Sequence, residues 1–186
     1  MSGETDRSRK LRHLRDSMRQ TLGILMIVLL TALGQPVEPW YWAGSGLAFV
    51  GILVRVWASG YVKKNEELAT RGPYAWVRHP LYVGNLLLAG GFALAAHEWW
   101  AYALVAVFVL FFYPTAIREE DAKLNRLFGP VWKEWRNSTR ALVPSLRPYR
   151  KGSLGHWSFT YSLRLNGEPW IALFLVVCLL VLYVRL

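Results

Sequence analysis

Apolar runs of membrane-spanning length alternate with connections that are either crowded with Lys and Arg or free of them. That alternation constrains the fold more than any other feature. In hydrocarbon every backbone N–H and C=O must be paired within the chain, which leaves helices or closed barrels. A barrel strand needs about 10 residues of alternating polarity. The runs here are mostly longer and do not alternate, so the expected fold is an all-α integral membrane protein. Five spans are expected, at 21–34, 42–62, 81–96, 99–117 and 168–186. The first is short for about 30 Å of hydrocarbon and should begin upstream or be thinned at its end. Gln35-Pro36-Val37-Glu38-Pro39 separates the first two spans. His97-Glu98 makes a tight turn that folds the third and fourth into a helical hairpin.

The basic residues sort by connection. Arg7, Arg9, Lys10, Arg12, Arg15 and Arg19 lie in the N-terminal arm, which is expected as a short interfacial helix or a disordered tail. Lys63, Lys64, Arg71 and Arg78 follow the second span, and ten more Lys and Arg lie between Arg118 and Arg164. The breaks at 35–39 and 97–98 carry none, and Arg185 is the exception at the far end. By the positive-inside rule the N-terminus is cytoplasmic and the C-terminus opposite. The same rule accounts for a net charge of +10 without nucleic acid. An Ala/Leu/Arg-rich composition points to a prokaryotic cytoplasmic membrane. One domain is expected over 1–186. The single cysteine, Cys178, excludes an internal disulfide, and the isolated His13, His79, His97 and His156 offer no metal-ligand spacing. The polar N-terminus does not look like a cleavable signal. Arg55, within or near the second span, either snorkels to the interface or is buried and functional.

Two basic-side segments carry candidate chemistry. The first is Leu68-Ala-Thr-Arg-Gly-Pro-Tyr-Ala-Trp-Val-Arg-His-Pro-Leu-Tyr-Val-Gly84, where a loop enters the third span. Pro80 suits the first helical turn, leaving His79 just outside it. Unpaired N–H groups and the positive dipole end favour an anionic ligand group there. The second is Arg118-Glu-Glu-Asp-Ala-Lys-Leu-Asn-Arg-Leu-Phe-Gly129, where Glu119 and Glu120 leave the fourth span. Acids at a helix C-terminus oppose the macrodipole. They either balance nearby arginines or are held for a cationic ligand or ribose hydroxyls.

Together, Thr70-Arg-Gly-Pro-Tyr74, Arg78-His-Pro-Leu-Tyr-Val-Gly84 and Glu119-Glu120 with Leu124 and Phe128-Gly129 resemble the isoprenylcysteine carboxyl methyltransferase family, within a superfamily that includes phospholipid N-methyltransferases. The resemblance covers about 68–144, the motif core. It implies S-adenosylmethionine bound at the cytoplasmic face and a lipid-like acceptor entering from the bilayer. It places Tyr74, His79, Pro80, Tyr82, Gly84, Glu119 and Glu120 at the cofactor. Arg78, Arg118, Arg136 or Arg140 would position an acceptor carboxylate, and Arg78, Glu120 and Arg136 are the expected catalytic residues. An amine acceptor would need Glu120 or His79 as base. Trp132 and Trp135 stand where relatives often have tyrosines, Arg140 where many have proline, and the last span lies outside the general pattern. The competing expectations are an NADPH-dependent membrane reductase, suggested by the Arg-His-Pro region, and a non-enzymatic membrane protein.

Overall fold

The computed structural model describes residues 2–63, 66–149, 156–160, 162 and 167–186, with only the backbone for 2–9 and 11–13. Lys64, Arg150, Lys151 and Arg164 of the charge pattern lie outside the described residues. Five helices carry the fold: α1 (Ser2–Leu33), α2 (Trp40–Ser59), α3 (Pro80–Ala96), α4 (Trp99–Ser138) and α5 (Glu168–Tyr183). The described residues contain no strand, and Leu14–Leu33, α2 and α4 are each long and apolar enough to cross a membrane. The protein is an all-α integral membrane protein. At 17 and 16 residues, α3 and α5 are apolar but shorter, about 25 Å at 1.5 Å per residue.

Four boundaries differ from the sequence expectation. The N-terminal arm is neither a separate interfacial helix nor a tail but the first half of α1. No proline or glycine interrupts the chain between Gly3 and Gly23, and Arg, Leu and Met favour helix. The first span thus begins well before residue 21. α2 stops at Ser59, short of Val62, because the chain tightens into turn bonds from Tyr61 and Val62 to the Ala58 and Ser59 carbonyls (3.1 and 3.3 Å). α4 continues past residue 117 to Ser138, broken only at Gly129 (φ 48°, ψ −118°), a conformation open to glycine, with Pro130 after it. α5 ends at Tyr183.

α2 and α3 pack backbone to backbone. A Cβ on Gly51 would lie 2.8 Å from the Gly84 carbonyl oxygen, and one on Gly91 2.6 Å from the Ala48 nitrogen. Small residues permit this approach where lipid supplies no hydrophobic drive between helices. The α3–α4 hairpin turns at His97, whose left-handed φ of 52° places its N–H on the Ala93 and Leu94 carbonyls. α5 runs antiparallel to α2. At the basic end Glu168 grips Arg55, and at the other Tyr41 donates to the Leu179 carbonyl (3.1 Å). Arg185 donates to the Thr31 and Ala32 carbonyls at the C-terminus of α1, where the dipole favours a cation.

Arg55 therefore turns into the bundle, its side chain 14% exposed, rather than snorkelling. Its Nε and Nη2 donate to the two Glu168 carboxylate oxygens (3.1 and 2.8 Å), and Nη1 donates to Asn85. A bidentate pair of this kind binds α5 to the bundle by charge as well as by packing.

Candidate active site

The loop between α2 and α3 reaches the bundle in a locally determined way. Gly72 turns left-handed (φ 57°) beneath the Tyr61 ring, and a 3₁₀ turn from Gly72 to Ala75 buries Pro73 and Tyr74. Val77 and the residues after it then pair in parallel with the segment that follows α4. Val77 bridges to Arg140, Arg78 N donates to the Arg140 carbonyl (2.8 Å), and His79 N donates to the Ala141 carbonyl (3.1 Å). Ser145 N and Tyr149 N close the seam on the Trp76 and Ala75 carbonyls (2.7 and 2.8 Å). The Trp135 indole N–H donates to the Tyr74 carbonyl (2.9 Å). The two motif segments, 42 residues apart at His79 and Asp121, thus meet at the basic end of the bundle.

At their junction Asp121 takes both neighbours. Its Oδ1 lies 3.1 Å from His79 Nε2, and its Oδ2 3.5 Å from Arg78 Nη2. Arg78 Nη1 also donates to the Arg136 and Thr139 carbonyls (3.2 Å each), so one guanidinium caps the end of α4 and pairs with its acid. Burial pulls the Arg78 pKa below its ordinary value, while Asp121 opposes that shift. The His79 ring, 6% exposed, stacks on Tyr82 (centroids 5.4 Å, 18°), and Tyr82 leans on Tyr113 of α4 (5.4 Å). Arg19 of α1 covers Tyr82 from the other side, donating to its hydroxyl (3.1 Å) with the guanidinium 5.3 Å from the ring centroid.

The residues named from the sequence fall into three groups. Tyr74, Arg78, His79, Pro80 and Tyr82 line this junction. Glu120 lies near it and has no ion-pair or hydrogen-bond partner among the described residues. Its charge raises the Tyr74 phenol pKa, after burial, which does most of that work. Glu119 and Arg136 turn away: Glu119 pairs with Arg15 of α1 (2.7 Å), and exposed Arg136 lies over the Trp132 ring (5.5 Å). Gly84 faces α2, where a Cβ would meet the Arg55 Cγ at 2.6 Å, so it sets helix packing. Arg118 and Arg140 are exposed.

Asp121, Tyr113 and Arg19 also meet at this junction and were not singled out from the sequence. Asp121 had a signal in its motif string, four residues beyond Ile117 on a helix that does not stop.

Thr70 Oγ1, Arg78 Nε and Trp132 Nε1 are buried with no hydrogen-bond partner among the described residues. Buried polar atoms are paired in the great majority of cases, so such orphans suit a polar ligand. Among the described residues no group of three or more His, Cys, Asp or Glu is placed to hold a metal ion.

Comparison with known proteins agrees with this architecture. Residues 39–131 match the family described as phospholipid methyltransferase. The nickel-cobalt-cadmium resistance protein NccN of Alcaligenes xylosoxydans xylosoxydans is 32% identical over 152 residues, covering 76% of this chain and 70% of that protein. The cobalt-zinc-cadmium resistance protein CzcN of Cupriavidus metallidurans is 39% identical over 109 residues, 58% of this chain and 49% of that one. The protein-S-isoprenylcysteine O-methyltransferase of Schizosaccharomyces pombe is 31% identical over 84 residues, 44% of this chain and 36% of the yeast protein. No solved structure matches.

Proposed function

Because the chain belongs to the phospholipid methyltransferase family, we propose that it uses S-adenosylmethionine to O-methylate the carboxylate of an isoprenylcysteine-like lipid acceptor. The observation that carries this reading is the meeting of the His79 loop with the Glu120–Asp121 turn of α4, together with buried donors on Thr70, Arg78 and Trp132 that have no hydrogen-bond partner among the described residues. Those groups fit the cofactor. Glu120 suits an ammonium or ribose hydroxyls, Arg78 Nε and Trp132 Nε1 suit a carboxylate, and the α3 N-terminus adds a positive dipole end. Bound there, S-adenosylmethionine supplies an electrophilic methyl group on a sulfonium.

The protein's own work is placement. Asp121 fixes the His79 ring, and Tyr82 supports that ring from below. Arg78 is held by its acid and two carbonyls, so the loop cannot swing away from α4. Holding nucleophile and methyl aligned can supply several kcal/mol of the barrier. A carboxylate nucleophile needs no base. In this reading the basic end faces the cytoplasm, the side that the distribution of Lys and Arg favours. Methyl-ester formation removes one negative charge from the membrane surface. That change lowers cation accumulation there, which relates the reading to the resistance proteins the chain resembles.

One observation favours a second reading, N-methylation of a lipid amine. The His79–Asp121 pair can take the proton that an ammonium must lose before it attacks.

The test is binding of S-adenosylhomocysteine and of NADPH, side by side, to protein in mild detergent. Saturable binding of the first alone, lost in His79→Ala, supports the methyltransferase reading. NADPH binding alone moves the chain to reductase chemistry, and binding of neither by folded protein removes both. Undiminished S-adenosylhomocysteine affinity in His79→Ala overturns the assignment of that loop to the cofactor.

A further inference from the structure

We infer that Arg19 of α1 is the residue that receives the acceptor's carboxylate. The inference rests on the O-methylation reading and names the group that would hold the substrate within it. Every other arginine considered at the site is committed or turned away. Arg78 is held by Asp121 and two carbonyls, with its remaining Nε given to the cofactor carboxylate in the reading above, and Arg55 is held by Glu168 and Asn85. Arg136 lies exposed on Trp132, and Arg118 and Arg140 are exposed.

Arg19 differs in three respects. It is the last charged residue of α1 and lies inside the apolar stretch Leu14–Leu33 that is long enough to cross a membrane. An arginine at that depth ordinarily snorkels outward. This one instead reaches inward, with a side chain 20% exposed, onto the Tyr82 ring that stacks on His79. Its acidic partner is Asp16 on its own helix, 55% exposed at 3.3 Å. A pair that open is weak and exchanges readily for a better anion. One helical turn further into the membrane, Gly23 faces Phe108 of α4, whose ring a Cβ there would meet at 3.5 Å, and Phe112 packs beside that ring (4.9 Å). An acceptor whose carboxylate replaces Asp16 on Arg19 can lay its prenyl chain along this aromatic face.

The chemistry closes with this placement. One carboxylate oxygen accepts from the guanidinium and the other attacks the methyl carbon. The O–CH₃ bond forms as the S–CH₃ bond breaks, the bonding pair leaves with sulfur as a neutral thioether, and no proton moves. A charge-assisted hydrogen bond of this kind is worth roughly tenfold or more in affinity.

The experiment uses the full chain in detergent, with Arg19→Gln, Arg19→Lys and, as a control on the exposed face of α4, Lys123→Gln. The probe is N-acetyl-S-farnesylcysteine, with its neutral amide as competitor. S-adenosylhomocysteine affinity should stay within about twofold in all three variants. Arg19→Gln should raise KM for the acid about tenfold or more, and Arg19→Lys should recover part of that loss. Preference for binding the acid over the amide should disappear in Arg19→Gln alone. An unchanged KM overturns the inference. So does S-adenosylhomocysteine affinity that falls in step with KM, since that marks a structural role. If the wild-type protein binds no S-adenosylhomocysteine or methylates no acid, the failure is of the O-methylation reading itself, and the role of Arg19 falls with it.

Discussion

The two walls that meet at His79 are built by different means. On the loop side, residues 75–79 are joined to 140–149 by backbone hydrogen bonds, and Arg78 and Trp135 add side-chain bonds to carbonyls. On the α1 side, among the described residues, side chains make the polar connections: Arg15 to Glu119 and Arg19 to Tyr82. Backbone pairing fixes position to tenths of an ångström and gives way cooperatively. Exposed side-chain pairs are worth little and rearrange one at a time. Under the proposed function, the contrast would give a rigid wall for the cofactor and an adjustable one for the acceptor.

The sharpest way to break this comparison is Asp121→Asn. The change keeps the shape and deletes the charge that both Arg78 and His79 face. Stripping one partner from a fully buried ion pair costs about 3–5 kcal/mol. Arg78 keeps two carbonyls, so a loss of about 2 kcal/mol is expected, a fall of roughly 4–8 °C in thermal midpoint for a chain of this size. Thermal unfolding in detergent measures it, and S-adenosylhomocysteine affinity should fall alongside. A variant as stable as wild type would mean that the loop wall is held by its backbone alone.

Residue by residue, the fold was more legible than the site. The Gln35–Pro39 break and the His97 turn have local causes, and each produced a boundary close to the observed one; the apolar runs located the helices but not the start of α1 or the end of α4. The motif segments were also visible. Sequence could not resolve the choice among Glu119, Glu120 and Asp121. Consecutive residues on a helix fan out by about 100°, and the one that meets His79 depends on the phase of a helix that continues to Ser138. Gly84 sits in a motif and yet serves helix packing, because α2 passes behind it. The pairing of Arg78 with Arg140 and the reach of Arg19 across 63 residues to Tyr82 are tertiary facts, with no periodicity to announce them.

A smaller effect should appear at alkaline pH. Burial, with Glu120 and Glu168 adding to it and Arg55 opposing it, raises the Tyr74 phenol above its ordinary value of 10.0. The folded state therefore holds this proton more tightly than the unfolded state. The stabilisation is fully present below pH 10 and declines as pH rises through the folded pKa. Thermal midpoints of wild type should drop above pH 10 more steeply than those of Tyr74→Phe, with the two curves parallel below it. Parallel curves throughout would show that Tyr74 ionises as freely folded as unfolded, and that this corner of the loop wall is wetter than its burial suggests.

The smallest effect belongs to the other wall, and there the comparison is most exposed. The Arg15–Glu119 pair is short, 2.7 Å, yet its side chains are 52% and 26% accessible. Two long side chains must be ordered to make it, and water screens what they gain, so Arg15→Gln should cost no more than about 0.5 kcal/mol. The thermal midpoint should shift by about 2 °C or less, and S-adenosylhomocysteine affinity should not move. A large destabilisation would show that the basic half of α1 is locked to α4 as firmly as the loop is. An adjustable wall would then have to be sought elsewhere, and the entry of an acceptor between α1 and α4 would need that lock to open first.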